Sequence, residues 1–313
     1  MIVTDTRTRR VIINSDVKNE ADDQFAVVHA LLSPTLDIRG IIPAHFGSER
    51  SQRSMLDSRE ELDHLLDLLA LPGTVPVANG AAERLPDATT PVDSAGARLI
   101  IDEARRARAG PLFTAFLGPL TDMASALLLA PDIAETDTTV IWIGGPPYGD
   151  REWRGTWPEF NLRNDIHAAN VVFESGIDIW QVPSDVYRLV SVSYAELRRR
   201  VEPCGELGRY LAQTVVDFNT TQHRVAVESR SLGDSPAIAL MLDPWCASFR
   251  RQSPVRFTAD GSCVPSDRGG DVLVVEDLDV RFFLEDMFAK LAEHGEAVAQ
   301  ARPGPQGAAD PVL

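Results

Sequence analysis

The chain is poor in cysteine, in aromatic residues and in positive charge, and it has no long hydrophobic run. Its three cysteines, Cys204, Cys246 and Cys263, are scattered and form no CxxC pair. That excludes a zinc knuckle and a disulfide framework. No apolar stretch is long enough to span a bilayer. Lys and Arg number 30 against 46 Asp and Glu, a formal net charge of −16. Such a balance argues against nucleic acid and against an anionic membrane as partners. It suits a small neutral or cationic ligand, or a metal. The N-terminus, MIVTDTRTRR, passes from polar residues straight into a strand, so no signal peptide is expected and the chain reads as cytoplasmic.

What remains is the composition of a soluble globular protein, with 44% hydrophobic and 24% charged residues among 313. Short β-branched runs alternate with helical patterns. The periodicity predicts strands over 10–14, 36–44, 112–117, 139–143 and 178–182. It predicts helices over 22–32, 52–69, 95–108, 120–129 and 166–174, a mostly helical stretch over 194–242, a β segment in GGDVLVVEDLDVRFFLEDMF and a final helix ending near His294. In helix 52–69, Met55, Leu56, Leu62, Leu65 and Leu69 are expected to face inward. This order predicts an α/β fold with a mainly parallel central sheet flanked by helices, and ligands at the carboxyl ends of its strands. No repeat or domain boundary is evident, so residues 1–300 are expected to form one domain, with 301–313 a disordered tail poor in packing residues.

Polar residues gather in four strand-end loops. VIINSDVKNEADDQF crowds Asp16, Asp22 and Asp23 beyond an apolar run. One aspartate there is an ordinary helix start; three call for a cation or acid–base chemistry, because clustered buried carboxylates repel. LFTAFLGPLTDMASAL exposes the carbonyl of Leu117 at a glycine turn. EFN places Glu159 and Asn161 on either side of Phe160, facing the same way if the segment is extended. In SLGDSPAIALML, Asp234 precedes a proline and an apolar helix, where a plain N-cap is the simple alternative to a ligand role. Asp16, Asp22, Asp23, Asp234 and a free carbonyl form an all-oxygen set, which favours Ca²⁺ or Mg²⁺ over zinc or copper, with calcium more tolerant of irregular sites.

In this order the loops resemble the inosine–uridine type nucleoside hydrolases, calcium-dependent N-ribosidases with an open, Rossmann-like sheet. VIINSDVKNEADDQFAVVHAL is similar to the family's DTDPGxDDAxAL opening. VPVANGAAERL, FTAFLGPLTDMASALLLAPDI, VIWIGG, EFNLRNDIHAANVVFESGIDIWQVPSDV and GDSPAIALMLDP match later landmarks, so the likeness runs from about Arg10 to Phe288. The resemblance implies Asp16 as general base and metal ligand, activating a water held by the metal. It implies Asp23, Asp234 and the Leu117 carbonyl as further calcium ligands, and Asp22, Glu159 and Asn161 as sugar-binding groups. A nucleoside or riboside substrate and a homo-oligomer, dimer or tetramer, are expected with it.

The departures from the pattern are specific. Asn14 and Val17 replace an aspartate and a proline, Leu117 stands at a threonine position, and the loop before Asp22 is two residues longer. The asparagine of the next strand-end loop is missing, with His45 and Gly47 the nearest substitutes. Gly233 stands where purine-active members carry a histidine that protonates the leaving base. Trp153, Trp157 and Tyr148 are candidates to stack on a base, Trp157 foremost. N-glycosidic cleavage builds positive charge on the sugar, which a carboxylate-rich pocket stabilises. The alternatives are a hydrolase of an unusual ribosyl substrate and a non-catalytic, metal-containing sugar-binding protein. A phosphatase is disfavoured, since no nucleophilic DxD follows the first strand.

Overall fold

The computed structural model describes residues 7–106, 110–149 and 158–301. Its strands are β1 (Arg9–Ser15), β2 (Leu36–Pro43), β3 (Leu112–Phe116), β4 (Thr138–Ile143), β5 (Asp178–Val182), β6 (Ser191–Ser193), β7 (Ser229–Ser231), β8 (Ala247–Gln252), β9 (Val255–Phe257), β10 (Cys263–Pro265) and β11 (Val272–Leu278). Its helices are α1 (Asp23–Leu31), α2 (Ser54–Leu68), α3 (Ala95–Ala104), α4 (Thr121–Leu129), α5 (Phe160–Asn164), α6 (Ile166–Phe173), α7 (Ser184–Tyr187), α8 (Tyr194–Glu196), α9 (Gly205–Gln222), α10 (Ser235–Leu242) and α11 (Val280–Ala301).

Seven strands form one sheet in the order β2-β1-β3-β4-β5-β11-β8, parallel throughout except for the antiparallel edge strand β8. The apolar runs of β1, β3 and β4 follow from this placement, because a strand covered on both faces has no solvent side to keep polar. Successive residues feed two cores. Val11, Ile13, Ala115, Ile141 and Ile143 pack on one side with α1, α2, α9, α10 and α11. Ile12, Phe116, Val140 and Trp142 pack on the other with α3, α4 and α6. The chain leaves β1 for β2 on one side and returns to β3 on the other, so a switch point lies between β1 and β3. At such a point the loops diverge and open a crevice.

The expected mainly parallel α/β fold is present, with local corrections. The segment read as β through Phe288 is strand only to Leu278; from Val280 it is helix, running to Ala301 rather than ending near His294. Phe283, Leu284, Met287, Phe288 and Leu291 are its buried face, a helical period that outweighs the β propensity of Val-Arg-Phe-Phe. Asp279 caps the turn by accepting from Phe282 N at 2.9 Å. In α2, Leu56 is 44% exposed, while Ser58 and Glu61 are buried in its place. The stretch 194–242 is interrupted by β7, which pairs with β6 just ahead of the stretch. Edge strand β8 escaped notice because its residues, ASFRRQ, lack an apolar run. EFN is not extended: Glu159 is the N-cap of α5 and Asn161 lies inside it. Residues 302–313 of the expected tail lie outside the described residues, as do Trp153 and Trp157.

Candidate functional site

Five loops at the carboxyl end of the sheet close around a pocket of about 70 Å³, lined among others by Asp16, Asp22, Asp23, Leu117, Glu159, Asn161, Tyr187 and Asp234. Asp16 follows β1 and Leu117 follows β3, so both stand at the switch point. The close approach of these loops depends on Gly118, where a Cβ would lie 2.6 Å from Asp16 Oδ1. Trp142 fastens the same turn from β4, its Nε1 donating to Gly118 O at 3.1 Å.

The aspartates are buried, and their hydrogen bonding is incomplete. Asp16 Oδ2 has no partner. Asp22 and Asp234 occupy the N-cap positions of α1 and α10, yet neither side chain accepts from its own helix. Asp22 Oδ2 turns instead to Gly233 N at 3.0 Å, and Asp23 Oδ1 accepts from Ser15 Oγ at 2.6 Å. The plain N-cap reading of Asp234 therefore fails on geometry. Carboxylate oxygens of Asp22, Asp23 and Asp234 lie within 4.8 Å of one another. Asp16 stands outside that trio, and Asp22, which the resemblance assigns to the sugar, stands within it.

Burial raises the pKa of all four carboxyls, since a low-dielectric site disfavours charge. Asp22 is pushed up to about 7, against the pull of Arg230. Asp23 is pushed up to about 6, against the hydrogen bond from Ser15. Asp16 and Asp234 are raised well above the carboxylate range, by burial first and then by the charge of Asp23. Four such groups beside an orphaned oxygen are what a hard dication would neutralise. All the donors are oxygens, so the residues fit calcium or magnesium.

On the opposite wall, Glu159 caps α5. Its Oε2 accepts from Gly145 N at 2.8 Å and Leu162 N at 2.9 Å, its Oε1 from Asn161 N at 3.2 Å and the Tyr187 hydroxyl at 2.9 Å. Burial raises its pKa despite these donors. Asn161 Nδ2 bridges Leu117 O at 2.7 Å and Ile143 O at 2.8 Å. Both amide protons are thus committed, leaving Oδ1 as an acceptor. The Leu117 carbonyl keeps a second lone pair.

Tyr187 was missed in the sequence. It follows β5, whose carboxyl end obeys the same strand-end rule that located the other loops. It also packs against Gly233, where a Cβ would lie 3.0 Å from its Cδ2. Asn19, Glu20, Ile143, Phe160 and Gly233 complete the lining.

His45, expected among the substrate-binding residues, is absent from the lining and fully buried. Gly47 N donates to its Nδ1 at 3.2 Å, and its Nε2 donates to Thr121 Oγ1 at 2.8 Å, which donates to Asp165 Oδ2 at 2.8 Å. Burial, with the charge of Arg84, lowers its pKa to about 4. It is a neutral, saturated strut. A larger cleft of 810 Å³, lined by Arg84, Asp165 and His167, lies beside this strut. Its buried acid, Asp165, has both oxygens bonded.

Comparison with known proteins agrees with this architecture. A purine-preferring ribonucleoside hydrolase from Gardnerella vaginalis shares the fold, with a TM-score of 0.76 and 20% identity, over 92% of this chain and 100% of that one. The model of the inosine-uridine preferring nucleoside hydrolases matches residues 11–285. The chain belongs to that family and is an enzyme of the N-glycosidase class. Probable uridine nucleosidase 2 of Arabidopsis thaliana is 25% identical over 248 residues, 72% of this chain and 74% of its own. The pyrimidine-specific ribonucleoside hydrolase RihA of Salmonella paratyphi C is 25% identical over 235 residues, 68% of this chain and 72% of its own. Among the described residues no helix is long and apolar enough to cross a membrane.

Proposed function

We propose that the chain hydrolyses the N-glycosidic bond of a ribonucleoside or related riboside to ribose and free base, and that it does so with one calcium ion. The observation that carries this reading is Asp16, a buried carboxylate with an unpartnered oxygen at the switch point of the sheet. Asp23, Asp234, Asp16 and the Leu117 carbonyl hold the ion, with Asp22 close enough to share in it. A bound dication neutralises the carboxylates, acidifies water and orients a vicinal diol. Asp16 takes the proton from the attacking water. Asn161 Oδ1 and Asp22 accept from sugar hydroxyls. Glu159 reaches the sugar by exchanging the Tyr187 hydroxyl, its one partner that is not a backbone amide. The pocket's negative charge stabilises the cationic sugar of the transition state.

Gly233 offers no acid to the departing base, so purine nucleosides that need protonation should be poor substrates beside a nitrophenyl riboside. Two relatives are named for uridine or pyrimidine ribonucleosides, which makes uridine the first natural substrate to try. The proposal further takes residues 1–300 as one domain and the working protein as a cytoplasmic homo-oligomer. Ribose release from uridine, cytidine and inosine, with calcium and with chelator, is the test. Calcium-dependent release supports the reading. No release from any of the panel by the calcium-loaded protein overturns it.

A further inference from the structure

Three arginines contact residues that line the acidic pocket, Arg50 and Arg230 at Glu20 and Arg163 at Phe160, in a chain whose net charge is −16. The guanidinium of Arg50 lies 5.2 Å from the ring centre of Phe160 and 5.8 Å from that of Phe218. Arg163 lies 5.2 Å from Phe160, and Arg230 lies 4.3 Å from Phe218. Cations and rings thus alternate from Arg163 through Phe160, Arg50 and Phe218 to Arg230. Phe160 itself lines the pocket. Arg230 is near enough to Asp22 for its charge to act on that carboxyl.

Two of these arginines converge on one carboxylate. Arg230 Nη2 donates to Glu20 Oε2, and Arg50 Nη2 stands 3.7 Å from Glu20 Oε1. Each oxygen of Glu20 therefore faces a different guanidinium. Arg230 is largely buried, its side chain 13% exposed, whereas that of Glu20 is 31% exposed. Arg230 Nε is buried without a partner, so the clamp has donor capacity to spare. Glu20 belongs to the lengthened loop between Asp16 and Asp22. That loop is tied down before Glu20, by Lys18 Nζ to Glu61 at 2.6 Å and by Arg50 Nη1 to Asn19 Oδ1 at 2.6 Å, and after it by Asp22 Oδ2, which accepts from Gly233 N at 3.0 Å. An outward turn of the Glu20 side chain would break none of these ties. As the occupant of a two-arginine clamp on the pocket wall, Glu20 stands in for an oxyanion, which guanidinium groups bind in this paired manner.

We infer that Arg50 and Arg230, set by Phe218 and Phe160, form an oxyanion subsite at the mouth of the pocket, occupied by Glu20 at rest, and that the preferred riboside carries an anionic group there. The inference rests on the ribosidase reading and specifies its substrate class. Two sources share this chemistry, a carboxylate on the base and a phosphate on the sugar.

Initial rates of ribose or ribose-phosphate release are compared for uridine, orotidine and uridine 5′-monophosphate. At least one anionic substrate should exceed uridine in kcat/KM by tenfold or more; orotidine identifies the base carboxylate, the nucleotide the phosphate. The ratio of anionic to neutral kcat/KM should fall at least tenfold in Arg230→Gln and in Arg50→Gln, and rise in Glu20→Gln. It should also fall with added salt. Circular dichroism checks folding, and if Arg230→Gln does not fold, the more exposed Arg50→Gln carries the test. Uridine cleaved as well as both anionic forms, with ratios unchanged in the variants, overturns the subsite and leaves the ribosidase standing. If no substrate is cleaved, the ribosidase reading fails. The subsite is then judged by calorimetry with orotidine and ribose 5-phosphate, where binding that is absent, or equal in wild type and Arg50→Gln, overturns it.

Discussion

Two groups of buried acids sit at the same end of the same sheet, and their hydrogen bonding separates them. In the first, Asp122 accepts from Asn14 Nδ2, Ser94 Oγ and Ala81 N, and Asp165 accepts from Leu85 N, Ala168 N and Thr121 Oγ1. Both of its acids are satisfied by neighbours already in place. In the second, Asp16 has an orphaned oxygen, Asp22 and Asp234 turn away from the helices they begin, and Asp23 and Asp234 share a hydrogen bond. A buried polar group left unsatisfied is costly. The saturated group therefore holds the loops together, while the unsaturated group retains capacity for a ligand. The volume of the clefts points the other way, since the larger one borders the saturated group.

The sharpest way to break this contrast is Asp16→Asn. Turnover should fall by roughly 10²–10⁴-fold, the range for a positioned general base, while the folded spectrum is kept. Unchanged ribose release would remove Asp16 from the chemistry. Next is Asp234→Asn. The metal-free melting temperature should stay level or rise, because one repelling carboxylate is gone. Calcium affinity should drop at least about tenfold, or about 1.4 kcal/mol of calcium-induced stabilisation. A wild-type calcium response in this variant would return Asp234 to a structural role. Elemental analysis of protein purified without chelator should find one calcium per chain; stoichiometric zinc would defeat the assignment.

The saturated group should behave in the opposite way. Thr121→Val leaves His45 Nε2–H without an acceptor and Asp165 short of one donor. It should cost about 1–3 kcal/mol of stability and leave the calcium-induced shift in melting temperature intact. The smallest effect concerns pH. His45 is held near pKa 4 in the fold and titrates near its ordinary 6.5 when unfolded. The unfolded chain thus binds more protons between these values, and stability falls as pH drops below about 6.5. By pH 5.5 the loss from this residue is about 1 kcal/mol. His45→Gln should flatten the acid side of the stability curve by that amount; an unchanged slope would show that His45 is not buried neutral.

Much of the arrangement was legible along the chain. The apolar run of 11–13 followed by three aspartates marked the end of β1, because a strand covered on both faces keeps its polar residues towards its ends. Asp16, Asp22, Asp23, Leu117, Glu159, Asn161 and Asp234 do meet in one pocket. Tyr187 was not legible, since an aromatic residue after a strand is equally at home in a core. His45 was misplaced because its side chain turns away from the crevice to a threonine and an aspartate far off in sequence.

By itself, then, the sequence determined the alternation of buried strands and helices and the residue types at each strand end, both of which are local patterns of period and polarity. Only the tertiary structure decided which carboxylates are saturated and which are not. Asp122 and Asp234 look alike in the sequence, each at the start of an apolar helix. Their difference lies in donors brought from remote segments, Asn14, Ala81 and Ser94 to the one and no backbone amide of its own helix to the other. Hydrogen bonding across long chain separations is a property of the folded arrangement, and that property distinguishes a strut from a site.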